Sequence, residues 1–274
     1  MTGSILPALD AHAHIAPDVT PAQIAALGQS VVFAMTRSLH EARQVRNRRE
    51  TALVWGIGVH PGVAIAREAW DSEQFTDLLG SFALVGEIGL DRRGGDMARQ
   101  RSIFKELLSI VRDEPVLLSI HSSGVATEVV EHLHDADMRG AILHWFNGDA
   151  TDVARALEAD AYFSVNAAMS EDQIRLLPPE RVLCETDFPA RKVRARKPAD
   201  IQRIEQRLSQ FWNKTPKKSA PKPGGTSAPC VNNPEPSNDS RSLLQTPSST
   251  YRAHGPSVAH SLPGIRRNRI WPGY

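Results

Sequence analysis

The sequence predicts an α/β protein, a (β/α)8 barrel of the TIM type, and three observations carry that prediction. Eight short apolar runs alternate with eight helical segments between residues 5 and 212. The runs are mostly continuous rather than strictly alternating, as expected of strands covered by helices on both faces of a parallel sheet. Seven of the eight lead into a residue able to hold a metal or a phosphate, nearly always His, Glu or Asp. Such a pattern describes one site assembled at one rim of a barrel. An open doubly wound sheet is the second architecture compatible with the alternation.

In chain order the strands are expected at residues 5–9, 31–35, 53–59, 82–86, 116–120, 141–143, 162–165 and 182–184. Each leads through a loop into a segment with helical periodicity. Those segments are 21–29, 38–49, 71–79, 97–111, 124–134, 149–157, 170–177 and 198–212. The clearest is 97–111, where Ile103, Phe104, Leu107, Leu108 and Val111 fall on one stripe.

Composition is ordinary for a soluble globular protein, with 41% hydrophobic residues, 23% charged residues and a net charge of +1. No apolar stretch reaches the roughly 20 residues of a membrane span, and the N-terminus lacks a basic segment leading into a long apolar core. A cytoplasmic protein with no membrane partner is expected. Cys184 and Cys230 suggest neither a disulfide framework nor a thiolate metal site.

The charge totals conceal an asymmetry. Residues 1–213 carry a net −6 and residues 214–274 a net +7, the latter with 10 Pro, 9 Ser and 5 Gly among 61 residues. A segment so poor in apolar periodicity cannot offset the entropy of folding, so 214–274 is expected to be a disordered basic tail beside a barrel domain at 1–213. Weak attraction to nucleic acid is its alternative role.

The chemistry begins at Leu9-Asp10-Ala11-His12-Ala13-His14, where two imidazoles two residues apart project to one side of an extended chain and can chelate one cation. Asp10, on the same face by that count, is either an acceptor behind the histidines or a plain strand-start residue. Such a pair alone arises often by chance. Glu87, however, lies in an apolar strand end between Gly86 and Gly89, and a buried carboxylate needs a cation or strong donors. His121 and His144 are the first polar residues after their strands, and Asp187 closes the last one. Four histidines and two carboxylates at equivalent ends of five strands form a coherent metal ligand set. Glu185, two residues before Asp187, is placed to orient water or a ligand histidine.

The phrases Asp10-Ala-His12-Ala-His14, Gly58-Val-His60-Pro61, Gly86-Glu87-Ile-Gly-Leu-Asp91, His121-Ser122, His144-Trp-Phe-Asn-Gly148 and Glu185-Thr-Asp187-Phe-Pro189 resemble the TatD family of metal-dependent deoxyribonucleases. The likeness runs from residue 8 to about residue 212. Residues 144–148 followed by 162–169 look most like a branch encoded in bacterial phage-defence operons, which implies defence-operon proteins as partners. The resemblance implies a binuclear centre, with His12, His14, Glu87 and Asp187 on one divalent ion and Glu87, His121 and His144 on the other. It also implies that His60 contacts the scissile phosphate. Magnesium, manganese, zinc and iron all suit such donors.

Two departures stand out. Many members carry an arginine two residues after the fifth-strand histidine, where this chain has Ser123 followed by Gly124. Beyond Trp212 the helical sequence expected to finish the barrel wall is also missing. The loop Arg191-Lys192-Val-Arg194-Ala-Arg196-Lys197 is a candidate source of the missing phosphate charge. Asn166, at the end of the seventh run, joins His60, Arg191, Arg194 and Arg196 as a candidate substrate contact. His132 and His134 are read as solvent-exposed, and Cys184 as a small buried hydrophobe.

Phosphodiester hydrolysis suits this set, since paired cations can hold a hydroxide nucleophile, polarise phosphoryl oxygens and neutralise the leaving oxygen. The expected activity is exonucleolytic hydrolysis of DNA at single-stranded or frayed ends, with Glu87 as bridge and Asp187 as general base. An amidohydrolase cleaving a C–N bond in a small molecule is one alternative. No lysine stands at the strand end where many binuclear members of that group place a modified one. The other alternative is a binding or assembly subunit that has lost turnover.

Overall fold

The computed structural model describes residues 7–212. Its eight strands are β1 (Leu9–His14), β2 (Val31–Met35), β3 (Leu53–Ile57), β4 (Leu84–Asp91), β5 (Leu117–Ser123), β6 (Ile142–His144), β7 (Tyr162–Val165) and β8 (Val182–Cys184). They pair in parallel in chain order, β1 to β8. A doubly wound sheet would place strands on both sides of the first, so this order excludes it. The ring nearly closes where Asp187 N donates to His12 O at 2.9 Å and His14 N donates to Phe188 O at 2.8 Å.

The outer layer is α1 (Pro21–Ala25), α2 (Leu39–Val45), α3 (Ala64–Glu68), α4 (Ser72–Leu79), α5 (Met97–Val111), α6 (Ala126–Asp135), α7 (Ala150–Glu158), α8 (Glu171–Arg175) and α9 (Gln202–Trp212). Side-chain caps start most of them: Thr20, Ser38, Asp71, Asp96, Asp149 and Ser170 each accept from a backbone N–H of the first turn. The predicted stripe of α5 is buried at Ile103, Phe104, Leu107, Leu108 and Val111.

Two apolar clusters follow from this layering. Ala11, Phe33, Met35, Leu84, Ile142 and Leu183 form one, joined only by further strand residues. They fill the barrel interior. The larger cluster joins the outward strand faces to the helices.

Several elements differ from expectation. The first strand is Leu9–His14, not 5–9; residues 5 and 6 lie outside the described residues. Small Ala11 and Ala13 serve its apolar packing, so its polar side chains do not prevent a central strand. The register against β2 shifts between Asp10 and Ala13, and Ala11 and Ala13 consequently pack in different clusters. That shift breaks the simple alternation that put Asp10 on the face of His12. β4 and β5 run further than predicted, through Asp91 and Ser123. The short α3 was not anticipated, since Ala64–Glu68 lacks a side-chain cap. α9 supplies the last helix of the wall at Gln202–Trp212, and the expected basic tail at 214–274 lies outside the described residues.

Candidate metal centre

The strand ends bring His12, His14, His60, Glu87, His121, His144 and Asp187 together. Glu87 is at the centre and only 1% exposed. Its Oε2 lies 3.1 Å from His14 Nε2, 3.3 Å from His60 Nε2 and 3.8 Å from His12 Nε2. Its Oε1 lies 3.1 Å from His144 Nε2 and contacts His121 Nδ1. Asp187 Oδ1 lies 3.9 Å and 3.8 Å from the Nε2 atoms of His12 and His14.

Glycines make this approach possible. A Cβ on Gly58 would sit 2.4 Å from Glu87 N, and one on Gly89 would sit 2.1 Å from His121 O. Gly89 also has a φ of +132°, which a larger residue rarely adopts. Asp187 and Trp145 hold left-handed backbone at φ 44° and 42°, a costly conformation that concentrates at functional sites.

The donors fit a cation. Among the described residues, His12 Nε2, His14 Nδ1 and Glu87 Oε2 are buried without a hydrogen-bond partner, although such atoms ordinarily find one. Three overlapping donor groups lie within 4.8 Å: His12, His14 and Asp187; His12, Glu87 and His144; His14, His60 and Glu87. His121 belongs to none of these triads but reaches Glu87 directly.

Around the donors stand groups that orient them. Ser119 Oγ lies 2.9 Å from His12 Nδ1, leaving Nε2 toward the cluster. Glu185, 1% exposed, lies 3.4 Å from His144 Nδ1 and accepts from Ser164 Oγ and from Asn166 Nδ2, the latter at 2.8 Å. Asp91 Oδ2 lies 3.2 Å from His121 Nε2. Gly62 N donates to His60 Nδ1 at 2.9 Å, so the His60 proton resides on Nε2.

Charge states follow from burial and these neighbours. Burial lowers His12 to about 3 and His60 to about 4. Burial also acts against His121, but the Glu87 and Asp91 carboxylates raise it to about 9. His144 is raised well above the ordinary imidazole range, against its burial, by Glu185 and Glu87. Burial alone would raise Glu87, yet His60, His121 and His12 hold it well below its ordinary value. Asp187 is pushed up to about 7 by burial.

The cluster floors a cavity of about 680 Å³ whose rim includes Arg37, Arg93, Trp145, Asn147, Arg191 and Lys192. Arg37 is engaged by Glu41 at 2.8 Å. Asp91 accepts from the backbone N–H of Arg93 at 2.8 Å, but among the described residues no carboxylate pairs with the side chain of Arg93, Arg191 or Lys192.

Three predicted substrate contacts lie elsewhere. Asn166 is fully buried, with Nδ2 on Glu185 and Oδ1 accepting from Ala168 N at 3.0 Å. Arg196 is held by both Asp200 oxygens at 2.9 and 3.0 Å. Arg194 borders a separate cavity next to α9. The turn around Val193 directs residues 194–196 away from the rim, a geometry that charge density along the chain does not encode. Arg93 was missed, although Asp91-Arg92-Arg93 directly follows a ligand strand; Arg92 itself packs 3.4 Å from the position a Cβ on Gly124 would take.

Other expectations resolve similarly. Asp10 touches no imidazole among the described residues, instead accepting from Thr186 N, Thr186 Oγ1 and Ala199 N at 2.8, 2.6 and 2.8 Å. It ties the loop after β8 to β1. His132 is not exposed but packs edge-on against Phe104, 5.8 Å between centroids. Cys184 is partly buried, and burial pushes its thiol up.

A barrel carrying this donor cluster defines a metal-dependent hydrolase. The chain belongs to the TatD related DNase family, whose model matches residues 9–221. It is 26% identical over 146 residues to the uncharacterized metal-dependent hydrolase YabD of Bacillus subtilis, covering 48% of this chain and 57% of that protein, just over half its length. To the 3'-5' ssDNA/RNA exonuclease TatD of Citrobacter rodentium it is 24% identical over 228 residues, covering 74% and 87% of the two chains. The crystal structure of YJJV, a TatD homolog from Escherichia coli K12, matches with a TM-score of 0.63 at 22% identity, covering 74% of this chain and 90% of that one. This last likeness is one of fold. No helix among the described residues is long and apolar enough to cross a membrane.

Proposed function

We propose that this protein is a metal-dependent phosphodiesterase that hydrolyses DNA from single-stranded or frayed ends. One observation carries the reading: among the described residues, His14 and Glu87, each with a buried and unpartnered donor atom, line a cavity rimmed by Arg93, Arg191 and Lys192, cations whose side chains have no carboxylate partner. A small neutral amide would need no such rim, whereas a polyanion does. The relation to a single-strand exonuclease over most of the chain points the same way.

His12, His14, Glu87 and Asp187 would hold one divalent ion, and Glu87, His121 and His144 a second, with magnesium, manganese and zinc all suited to such donors. Bound ions would supply Lewis acidity toward the phosphoryl oxygens and a lowered pKa for attacking water. The protein's own groups complete the site. His60 presents its Nε2 proton toward the cluster, where it can donate to a phosphate oxygen. Asp187, with burial raising its basicity, accepts the proton of the attacking water. Arg93, Arg191 and Lys192 hold the flanking phosphates.

The test is hydrolysis of end-labelled single-stranded DNA, blunt duplex DNA and a cyclic amide by the full chain, with chelator and after adding back manganese, magnesium or zinc. A metal-restored ladder of shortening single strands is expected. Metal-dependent amide cleavage without DNA hydrolysis would reassign the site to C–N chemistry.

A further inference from the structure

Among the described residues, one aromatic side chain other than the histidines lines the cavity above the metal donors: Trp145. It follows His144 directly, so their Cα atoms are ~3.8 Å apart and the indole stands beside the reacting centre. Its φ of 42° is left-handed, a conformation unusual for a bulky residue and one that sets where the indole points. The residue is half-buried, packed against the outer core and also bordering the cavity. Asn147, two residues further, is exposed and lines the same space. Its amide offers both donors and an acceptor.

A phosphate needs cations, and the rim supplies them. It has no use for an indole face. Aromatic face, free amide and basic rim together make the chemistry that recognises a nucleotide in single-stranded form, in which a base stacks on an aromatic ring and the backbone follows the cations.

Building on the phosphodiesterase reading above, we propose that Trp145 is the stacking platform for one unpaired nucleobase beside the scissile phosphate, with Asn147 at that base's edge. A base inside a duplex already has both faces covered. The platform therefore selects strands whose terminal bases are free, and it makes the site indifferent to which base arrives, because every base has a π-face.

The experiment is a cycle on the full chain with manganese present, using a phosphorothioate single strand whose slow cleavage lets binding be read by anisotropy. Trp145→Ala should weaken binding about ten- to hundred-fold, which at about 1.4 kcal/mol per tenfold lies within the range for one stacked base. Trp145→Phe should recover most of it. Abasic nucleotides placed at each position in turn should weaken the wild-type protein similarly at one position. At that position the two losses should not add, since both remove the same contact.

Additive losses at every position, unchanged binding by Trp145→Ala, or no wild-type binding would each overturn the platform. Thermal unfolding of the Ala and Phe variants separates a folding defect from a lost contact, and Trp145→Phe decides the matter if the Ala variant unfolds. The two readings fail separately. Normal DNA cleavage with additive losses removes the platform alone, whereas a non-additive cycle without cleavage under any metal removes the nuclease activity and retains a base-binding subsite.

Discussion

Glu185 Oε2 stands 3.4 Å behind His144 Nδ1, on the side of the ring opposite Glu87. Ser164 and Asn166 donate to the same Glu185 carboxylate, so it is fixed by two side chains of the β7 end. A carboxylate behind a ligand imidazole sets its tautomer and raises its basicity, and such partners typically tune metal affinity by about 10- to 100-fold. Glu185→Gln should therefore lower metal affinity by at least about tenfold while far-UV circular dichroism stays unchanged. Asn166→Ala should cause a smaller loss of the same kind. Unaltered metal affinity in both variants would leave the carboxylate with a packing role only.

Glu87 contacts imidazoles on both sides of the cluster through different oxygens. Glu87→Gln keeps the volume but removes the charge and one acceptor, so metal content and hydrolysis should fall together. Metal analysis by mass spectrometry and a rate assay at saturating metal check this. Full occupancy with a normal rate would sink the bridging assignment.

Most of the site was legible because barrel topology places strand ends at one rim, so His121, His144 and Asp187 needed only correct strands to be found, while His12 and His14 were marked by their spacing although the first strand was expected too early. The chain's local irregularities were not legible. The register shift in β1 reverses the face of Asp10. Asn166 ends a strand as a ligand would, yet it lies beneath the cavity floor, on Glu185. Arg194 and Arg196 share a charge run with Arg191, but the turn at Val193 sends them elsewhere. Each of these depends on which way one side chain points, and composition and spacing do not report that.

The metal-free protein should be sensitive to alkali. His121 has its pKa raised from 6.5 to about 9, so its contribution to stability is complete below pH 6.5 and disappears as pH rises through about 9. Asp187, raised from 3.8 to about 7, favours its protonated form and loses that contribution as pH rises from 3.8 through about 7. Both act in one direction, and the buried His121 alone amounts to roughly 3 kcal/mol. The Tm of chelated protein should fall between pH 6.5 and 9. Metal must displace the same protons, so affinity should tighten over that window, with proton release visible by calorimetry in buffers of different ionisation enthalpy. Metal binding without proton release near neutral pH would contradict these charge states.

Asp187 combines raised basicity with contact to His12 and His14. Asp187→Asn retains the shape of the site, so oligonucleotide affinity should change by less than about threefold while kcat drops by a factor of 10² or more, the size typical of general-base loss. Gel-shift and single-turnover measurements separate the two. Loss of binding with an unchanged single-turnover rate would move Asp187 from chemistry to substrate capture.

The distribution of arginines around the rim yields a contrast between two sets of variants. Arg93, Arg191 and Lys192 line the cavity, whereas Arg196 is committed to Asp200 and Arg194 faces another space. Each phosphate contact to a single strand adds a slope of about −0.7 in log K against log salt. Replacing Arg93, Arg191 and Lys192 with Ala should weaken single-strand binding for every sequence and flatten the salt dependence by about two units, if all three touch phosphate. Replacing Arg194 and Arg196 should leave the slope within error of wild type. Arg196→Ala removes an exposed ion pair, whose stabilising effect is small once solvent screens it. Metal content should be unchanged in both sets, since none of the five residues is a ligand candidate. A flattened slope in the second set with a normal one in the first would mean that nucleic acid leaves the cavity over α9, and the loop after β8 would then be its track.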